Sequence, residues 1–476
     1  MSRVPAARPA GSGRGGGAAR PAPVVERAAR RAGPRLVVCA DVGSTFTKVV
    51  VVDLAGGALV GAAAHRTTAD TDVLDGLAAA VSAAGGDGYP LRVCSSAGGG
   101  LRLAVVGYER LVTASAGERV GLSAGARVVR VCAGPLDASG VAGLVEARPD
   151  VVLLVGGTDG GDAQVLTHNA ARLARMRPRV PVVAAGNAEA RDEVVGRLTA
   201  AGVPVVAAGN VLPRIGVLDA GPARAAIREV FLRHVIGGKR LSRGRRFASL
   251  VRGATPEVVL GGVELLGETL DGDLAVVDVG GATTDVYSVL APDEGGAARE
   301  VAGTLWRGRT VEGDLGMRVG AAGVVEAAAG QRLLADGERE VLAAAAAARV
   351  ADAGLLPVDA AGWAVDARLA GLATTVALRR HARPGPDGGT GRDLRGVRLL
   401  IGSGGVLRHG PPGLAGRVLA EALGDHGGGW APPRSAQVVV DVDGVLAAAG
   451  LLAADHPDAA AGLLRSRLSG VRFAAR

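Results

Sequence analysis

At 476 residues the chain is long enough for two to four domains and a large buried core, and its 48% apolar and 21% charged residues exclude a wholly disordered protein. Aromatics are only 2%, which leaves the core to Ala, Val and Leu. The net charge of +8 sits at one end: residues 1–35 hold eight arginines and one acid, Glu26, so the rest is near neutral and lacks the basic face that nucleic-acid binding requires.

That first stretch, 1–35, is rich in Ala, Pro, Gly and Arg without apolar periodicity and reads as a disordered basic tail. A transit peptide is the weaker alternative, because serine is sparse and no amphipathic arginine face is evident. With no secretory signal and no apolar run of about 18 residues, the sequence predicts a cytoplasmic protein without a membrane partner. Lysine is almost absent. Only Lys48 and Lys239 stand against 52 arginines, so a lysine here is an unusual choice.

Residues 36–90 read as a first lobe, opened by a β-hairpin of Leu36–Val42 and Thr47–Leu54 around "GSTF". From 91 to 215 the pattern changes to an α/β insertion, with strands beginning near Leu91, Arg127, Asp150, Val180 and Val203. Two of these are identical: "VPVVAAGN" at Val180–Asn187 recurs at Val203–Asn210. Between the copies Ala188–Gly202 reads as a helix, with Asn187 as N-cap and Gly202 as its stop. Strand, helix and strand at a period of 23 residues make a βαβ unit, hence a parallel sheet.

Residues 216–273 return to the first lobe through a helix over Asp219–Ile236, with Pro222 in its first turn and Gly237 at its end. Ile227, Val230, Phe231 and His234 share one face of it, and His234 reads as packed or surface histidine rather than a ligand. A second lobe over 274–455 starts with another hairpin at 274–290 and continues through an Ala-rich helical region from about 312 to 380. It closes with strand–turn–helix patterns at Val397–Leu407 and Val438–Leu452, and 456–476 is a C-terminal extension. The class is α/β, in two lobes, with a parallel α/β insertion in the first half.

The two hairpins carry the chemistry. In "DVGSTFTK" a strand ends at Asp41, Gly43 permits an immediate reversal, Ser44, Thr45 and Thr47 add hydroxyls, and Lys48 adds a point charge. "DVGGATTD" repeats this with Asp278, Gly280, Gly281, Thr283 and Thr284. An aspartate cannot bind phosphate, but beside a phosphate cradle it can hold hydrated Mg²⁺ or orient water. Each hairpin alone is an ordinary glycine-tipped turn. Two copies and a third glycine turn after an apolar strand, "GSGG" over Gly402, Ser403, Gly404 and Gly405, form a pattern that is neither a Walker A loop nor a dinucleotide fingerprint.

That order of motifs resembles the actin, sugar-kinase and heat-shock-chaperone ATPase superfamily. The resemblance implies a nucleotide held between two lobes, one phosphate hairpin from each, with the later glycine turn against the adenosine. Asp41 and Asp278 then take the catalytic and metal-holding positions, Lys48 the phosphate contact, and Glu312 of "TVEGDLGMR" a nucleotide contact or a helix cap. Within the superfamily, "CSSAGGGLRLAVVG", "LLVGGTDGGD", "GNVLPRIGVLD", "RTVEGDLGMR", "IGSGGVLRH" and "AAAGLL", with both hairpins, look like the glutamate mutase accessory proteins of the MutL/GlmL type. The match spans roughly residues 36–455. It implies ATP and Mg²⁺ as cofactors, adenosylcobalamin-dependent mutase subunits as partners, and a reactivating, chaperone-like role.

An independent check supports an accessory role over a mutase. The cobalt-ligating pattern Asp-x-His-x-x-Gly is absent, since none of His65, His168, His234, His381, His409, His426 and His456 has an aspartate two residues before it. Cys39, Cys94 and Cys132 are widely spaced in apolar runs and read as buried thiols, not iron–sulfur or zinc ligands. A small-molecule kinase of the same superfamily stays open as an alternative, with Asp159 of "GGTDGGD" its candidate base. An actin-like scaffold is a third reading.

Overall fold

Alternating apolar strands and capped helices build three sheets. The computed structural model describes residues 35–97, 100–237, 241–270, 272–290, 307–383, 392–425 and 427–468, so residues 1–34 of the expected basic tail and the whole region past 468 lie outside the described residues.

The first lobe begins with β1 (Leu36–Val42), β2 (Phe46–Asp53) and β3 (Ala58–Arg66), then α1 (Val73–Ala83) and β4 (Leu91–Ser95). The insertion follows as β5 (Arg102–Gly107), α2 (Ser115–Ser123), β6 (Arg127–Ala133), α3 (Ala138–Ala147), β7 (Val151–Leu154), α4 (Gln164–Met176), β8 (Val182–Ala184), α5 (Arg191–Ala200) and β9 (Val205–Ala207). The chain returns through α6 (Gly221–Val230), a π-helical stretch at Phe231–Ile236, α7 (Arg246–Leu250), β10 (Val251–Ala254) and α8 (Thr255–Leu270). The second lobe holds β11 (Leu274–Val279), β12 (Thr284–Val289), β13 (Arg307–Glu312), α9 (Ala321–Gly330), α10 (Glu338–Ala351), α11 (Ala360–Ala382), β14 (Leu399–Ser403), α12 (Gly405–His409), α13 (Leu414–Leu423), β15 (Gln437–Val440), α14 (Val445–Leu452) and α15 (Pro457–Leu468).

The first sheet runs β3-β2-β1-β4-β10 and the second β13-β12-β11-β14-β15. In both, the first three strands are antiparallel and the last two run parallel to the central one. Each final strand leads into a helix, β10 into α8 and β15 into α14. The lobes are thus two copies of one plan, the repeated-lobe arrangement of the actin-like ATPase fold.

The insertion is a separate all-parallel sheet, β6-β5-β7-β8-β9. The duplicated octapeptide supplies its neighbouring strands β8 and β9, the Asn187 side chain accepts from the Glu189 N–H, and Gly202 has the left-handed φ of +74° that ends the connecting helix. Two boundaries move. Leu91–Ser95 pairs with β1 and β10, so it belongs to the first lobe, and the insertion sheet begins with β5. The C-terminal stretch is no appendage, because the start of α15 packs on the turn between β2 and β3: a Cβ at Gly57 would lie 2.1 Å from the Ala459 carbonyl oxygen. The helix expected over Asp219–Ile236 forms, but widens to π geometry from Phe231, and His234 is exposed.

One apolar cluster joins the lobes. It contains Val37, Cys39 and Val52 from the first sheet, Val276, Tyr287 and Ile401 from the second, and the inner faces of α8, α14 and α15. Helices α8 and α14 touch backbone to backbone: a Cβ at Gly262 would lie 2.1 Å from the Leu446 carbonyl oxygen, and one at Gly450 1.8 Å from that of Val258. Only glycine fits such a crossing. All three cysteines are buried free thiols. Among the described residues no helix is long and apolar enough to cross a membrane.

Candidate functional site

Both hairpins turn in the same way. Gly43 N–H donates to the Phe46 carbonyl at 3.0 Å, and Gly280 N–H to the Thr283 carbonyl at 2.9 Å. A Cβ at either glycine would stand 2.8 Å from that same carbonyl oxygen, so both turns need a residue without a side chain. The carbonyls of the two glycines are also held alike. Gly43 O accepts from the Thr67 hydroxyl at 2.9 Å, and Gly280 O from the Met317 N–H at 2.9 Å, each from the segment after the lobe's third strand.

Strand register decides which side chains meet. Asp41 lies opposite Lys48, and Asp278 opposite Asp285, so each pair shares a face. Lys48 Nζ stands 3.6 Å from Asp41 Oδ2, and the Thr255 hydroxyl at the head of α8 donates to Asp41 Oδ1 at 2.6 Å. Asp278 is deeply set, with part of its surface open to the space between the lobes. Burial pushes its carboxyl above the usual range, the Lys48 charge pulls it back, Asp285 and Asp41 raise it, and a hydrogen bond from Ser403 lowers it.

The glycine turn after β14 completes the floor. Gly404 has a φ of +103°, and a Cβ there would lie 2.1 Å from the Val279 carbonyl oxygen, so this turn passes directly against the second hairpin. Asp441, after β15, is buried and caps α14 by accepting from Val445 N–H at 2.8 Å and Leu446 N–H at 3.2 Å. Burial pushes its carboxyl up and the two backbone donors lower it. Together Asp41, Lys48, Thr255, Asp278, Ser403, Asp441 and Gly444 line one cleft between the lobes.

The structure therefore brings Asp41, Lys48, Asp278 and Ser403 together across some 360 residues of sequence. Ser44 and Thr45 are exposed at the first tip, and Gly281 and Thr283 are half-buried at the second. Thr47 and Thr284 are corrections: both are fully buried beneath their hairpins, and the Thr47 hydroxyl is 3.0 Å from that of Thr67. Gly402 is buried as well, facing Leu407 and Leu419, while Gly405 is exposed at the start of α12. Glu312 is bound by Arg380 at 2.8 Å, the same guanidinium that holds Asp314 at 2.7 Å, and it is not among the cleft-lining residues. Thr255, Asp441 and Gly444 were not foreseen, because each sits at a helix start whose distance from the hairpins only the fold sets.

The "GGTDGGD" loop, at the carboxyl end of β7, lies in the insertion. The Asn187 amide donates to Gly161 O at 2.9 Å, and that of Asn210 to Gly157 O at 3.0 Å and Asp159 Oδ1 at 2.9 Å. Ala188 N–H also donates to Asp159 Oδ1 at 2.8 Å, and Gln164 N–H to Asp162 Oδ1 at 2.8 Å. The repeated asparagines clamp the loop, and Asp159 is a member of that clamp.

Two lobes of one topology, a glycine-tipped acidic hairpin in each and a third glycine turn on the cleft between them define a protein of the actin-like ATPase fold. More particularly, the chain belongs to the MutL family: the family model described as MutL protein matches residues 37–468. It is 33% identical over 455 residues to "Protein MutL" of Clostridium tetanomorphum, covering 90% of this chain and 98% of that one. Solved structures similar to it include the (R)-2-hydroxyglutaryl-CoA dehydratase component A of Acidaminococcus fermentans, at 11% identity and a TM-score of 0.31, covering 89% of this chain and 99% of that chain. A ROK family glucokinase from Streptomyces griseus, solved with glucose and AMPPNP, is similar at 15% identity and a TM-score of 0.29, covering 91% and 100%.

Proposed function

We propose that the chain is an ATP-dependent accessory factor that reactivates an adenosylcobalamin-dependent carbon-skeleton mutase, with glutamate mutase as the client. The observation that carries the nucleotide part is the convergence of Asp41 and Asp278, from two hairpins of one geometry, on a single cleft that also holds Lys48. The client rests on the motif resemblance across residues 36–455 and on membership of the MutL family.

The cleft fits Mg²⁺ and a polyphosphate. Three carboxylates, Asp41, Asp278 and Asp441, and one lysine leave excess negative charge in a partly desolvated space, and burial raises the Asp278 and Asp441 carboxyls. A hard divalent cation relieves that arrangement. Among the described residues no three His, Cys, Asp or Glu side chains group closely enough to hold a metal alone, so a bound Mg²⁺ would draw its remaining ligands from phosphate and water. When bound, Mg²⁺–ATP supplies a transferable phosphoryl group whose charge the cation spreads.

The protein's own groups have distinct tasks. The glycine tips let backbone N–H groups approach the phosphates, and Thr45 adds a hydroxyl donor there. Lys48 supplies positive charge on the cleft face. Asp41, fixed by the Thr255 hydroxyl, and Asp278, drawn by Ser403, orient the ion and the attacking water. Turnover changes the angle between the lobes about the α8–α14 crossing and moves the insertion against the client, so that damaged cofactor exchanges.

The test is ATP hydrolysis by wild type, Asp41→Ala and Asp278→Ala, with rescue of inactivated mutase followed in the same preparations. Hydrolysis and rescue are expected to fall together by about 100-fold or more. Rescue that survives the loss of hydrolysis would sink the ATP-driven reading.

A further inference from the structure

The residue opposite Asp278 is an acid where its counterpart opposite Asp41 is a lysine, and the structure shows where that acid goes. Asp285 is buried and accepts from Arg309 on β13, at 2.9 Å from Nε and 2.5 Å from Nη2, both to Oδ1. Arg309 is itself only 4% exposed. Its remaining nitrogen, Nη1, leaves the second lobe altogether. It donates to the carbonyls of Leu122 and Ala126, each at 3.3 Å, at and just past the carboxyl end of α2 in the insertion. The Leu122 carbonyl belongs to the negative end of the helix, where a guanidinium is favoured, and Ala126 lies in the short link to β6.

We infer that Arg309 couples the second hairpin to the insertion, carrying nucleotide-driven movement of the cleft to the part of the chain that meets the client. This rests on the ATP-driven reading above. Each link in the path is a direct contact. Asp285 shares its register pair with Asp278 and accepts from the Thr283 hydroxyl at 3.2 Å, and the Thr283 carbonyl closes the hairpin turn. On the other side α2 is bedded into its sheet, since a Cβ at Gly117 would lie 2.8 Å from Val105 and 3.1 Å from Val155. Helix and sheet must therefore shift together.

A purely stabilising ion pair accounts for less of this geometry. Buried pairs contribute little net stability over an apolar replacement, and a pair serving its own lobe alone has no need of the insertion's backbone. Because Arg309 grips carbonyl oxygens rather than side chains, it reads where α2 is and not what residues it carries. Arg309 is a positioning residue: it has no place on the cleft and acts through Asp285.

The test is hydrogen–deuterium exchange of the full chain, with and without Mg²⁺–AMPPNP, read at three segments: 36–53, 274–290 and 115–126. In wild type the nucleotide is expected to slow exchange at both hairpins and change it at 115–126. The double variant Arg309→Met, Asp285→Asn removes both charges and leaves neither unpaired. It should keep the hairpin response while the response at 115–126 drops at least threefold. If that variant does not fold, Arg309→Lys, which keeps the charge but loses the fork, is expected to cut the response at 115–126 by half or more. Undiminished response at 115–126 in the folded variant overturns the coupling. Hairpins that respond in wild type while 115–126 does not also overturn it, and leave the nucleotide reading standing. Silent wild-type hairpins would remove both.

Discussion

The hairpins β1–β2 and β11–β12 share a turn, a glycine that tolerates no Cβ and a supporting hydrogen bond to that glycine's carbonyl, yet the residue opposite the acid differs. Lys48 faces Asp41 on the cleft, 3.6 Å from its carboxylate. Asp285 faces Asp278 and is bound away from the cleft by Arg309. The difference teaches that duplication conserved the backbone and divided the labour. One hairpin carries a lysine on the cleft, and the other is joined through Arg309 to the insertion. A lysine at 285 would repeat the first hairpin but give up the pair with Arg309.

The largest effect is expected from forcing the two hairpins to match. Asp285→Lys would give the second hairpin its own lysine but leave Arg309 buried beside a like charge. Chemical denaturation should show a loss of about 3–5 kcal/mol, the usual outcome of breaking a buried pair. A smaller and balanced effect is expected at the turns. Gly43→Ala and Gly280→Ala each push a Cβ to 2.8 Å from a carbonyl oxygen, and each should destabilise by about 1–3 kcal/mol. Costs that differ by more than about 2 kcal/mol between the two would break the equivalence of the turns.

The smallest effect has the opposite sign. Asp278 has its carboxyl raised in the folded state, so its proton is held more tightly folded than unfolded. Its contribution to stability is therefore present at low pH and lost as pH rises through the folded value. At neutral pH the ionised, partly desolvated group costs stability, and Asp278→Asn should raise the nucleotide-free melting temperature by about 1–3 °C. The gain should fade as pH drops toward about 4, where the unfolded carboxyl also takes up its proton. A melting temperature lowered at pH 7 would contradict the origin assigned to the shift.

How far the sequence reached varies with the range of the interaction. Both hairpins, the βαβ unit of the duplicated octapeptide, the Asn187 cap and the Gly202 stop were legible because each depends on residues a few positions apart. Thr47 and Thr284 were misplaced for a reason equally local. In a strand, neighbours face opposite sides, so with Lys48 and Asp285 on the face of the acids, Thr47 and Thr284 must face away. Strand β4 was assigned to the insertion because its partners β1 and β10 lie about 50 and 160 residues off. Strand β5, the second in the insertion sheet, was hidden behind the glycine run that precedes it. Thr255, Asp441 and Gly444 reach the cleft only because α8 and α14 cross at Gly262 and Gly450, a contact that no short-range pattern announces.

The central claim is that both hairpins serve one nucleotide. Isothermal titration of wild type, Asp41→Ala, Asp278→Ala and the double variant with Mg²⁺–AMPPNP tests it most directly. The account predicts one nucleotide per chain, about tenfold or greater loss of affinity in each single variant, and a double variant little worse than the weaker single, as for groups acting on one shared ion. Wild-type affinity in either single variant, or two losses that simply add, would contradict it.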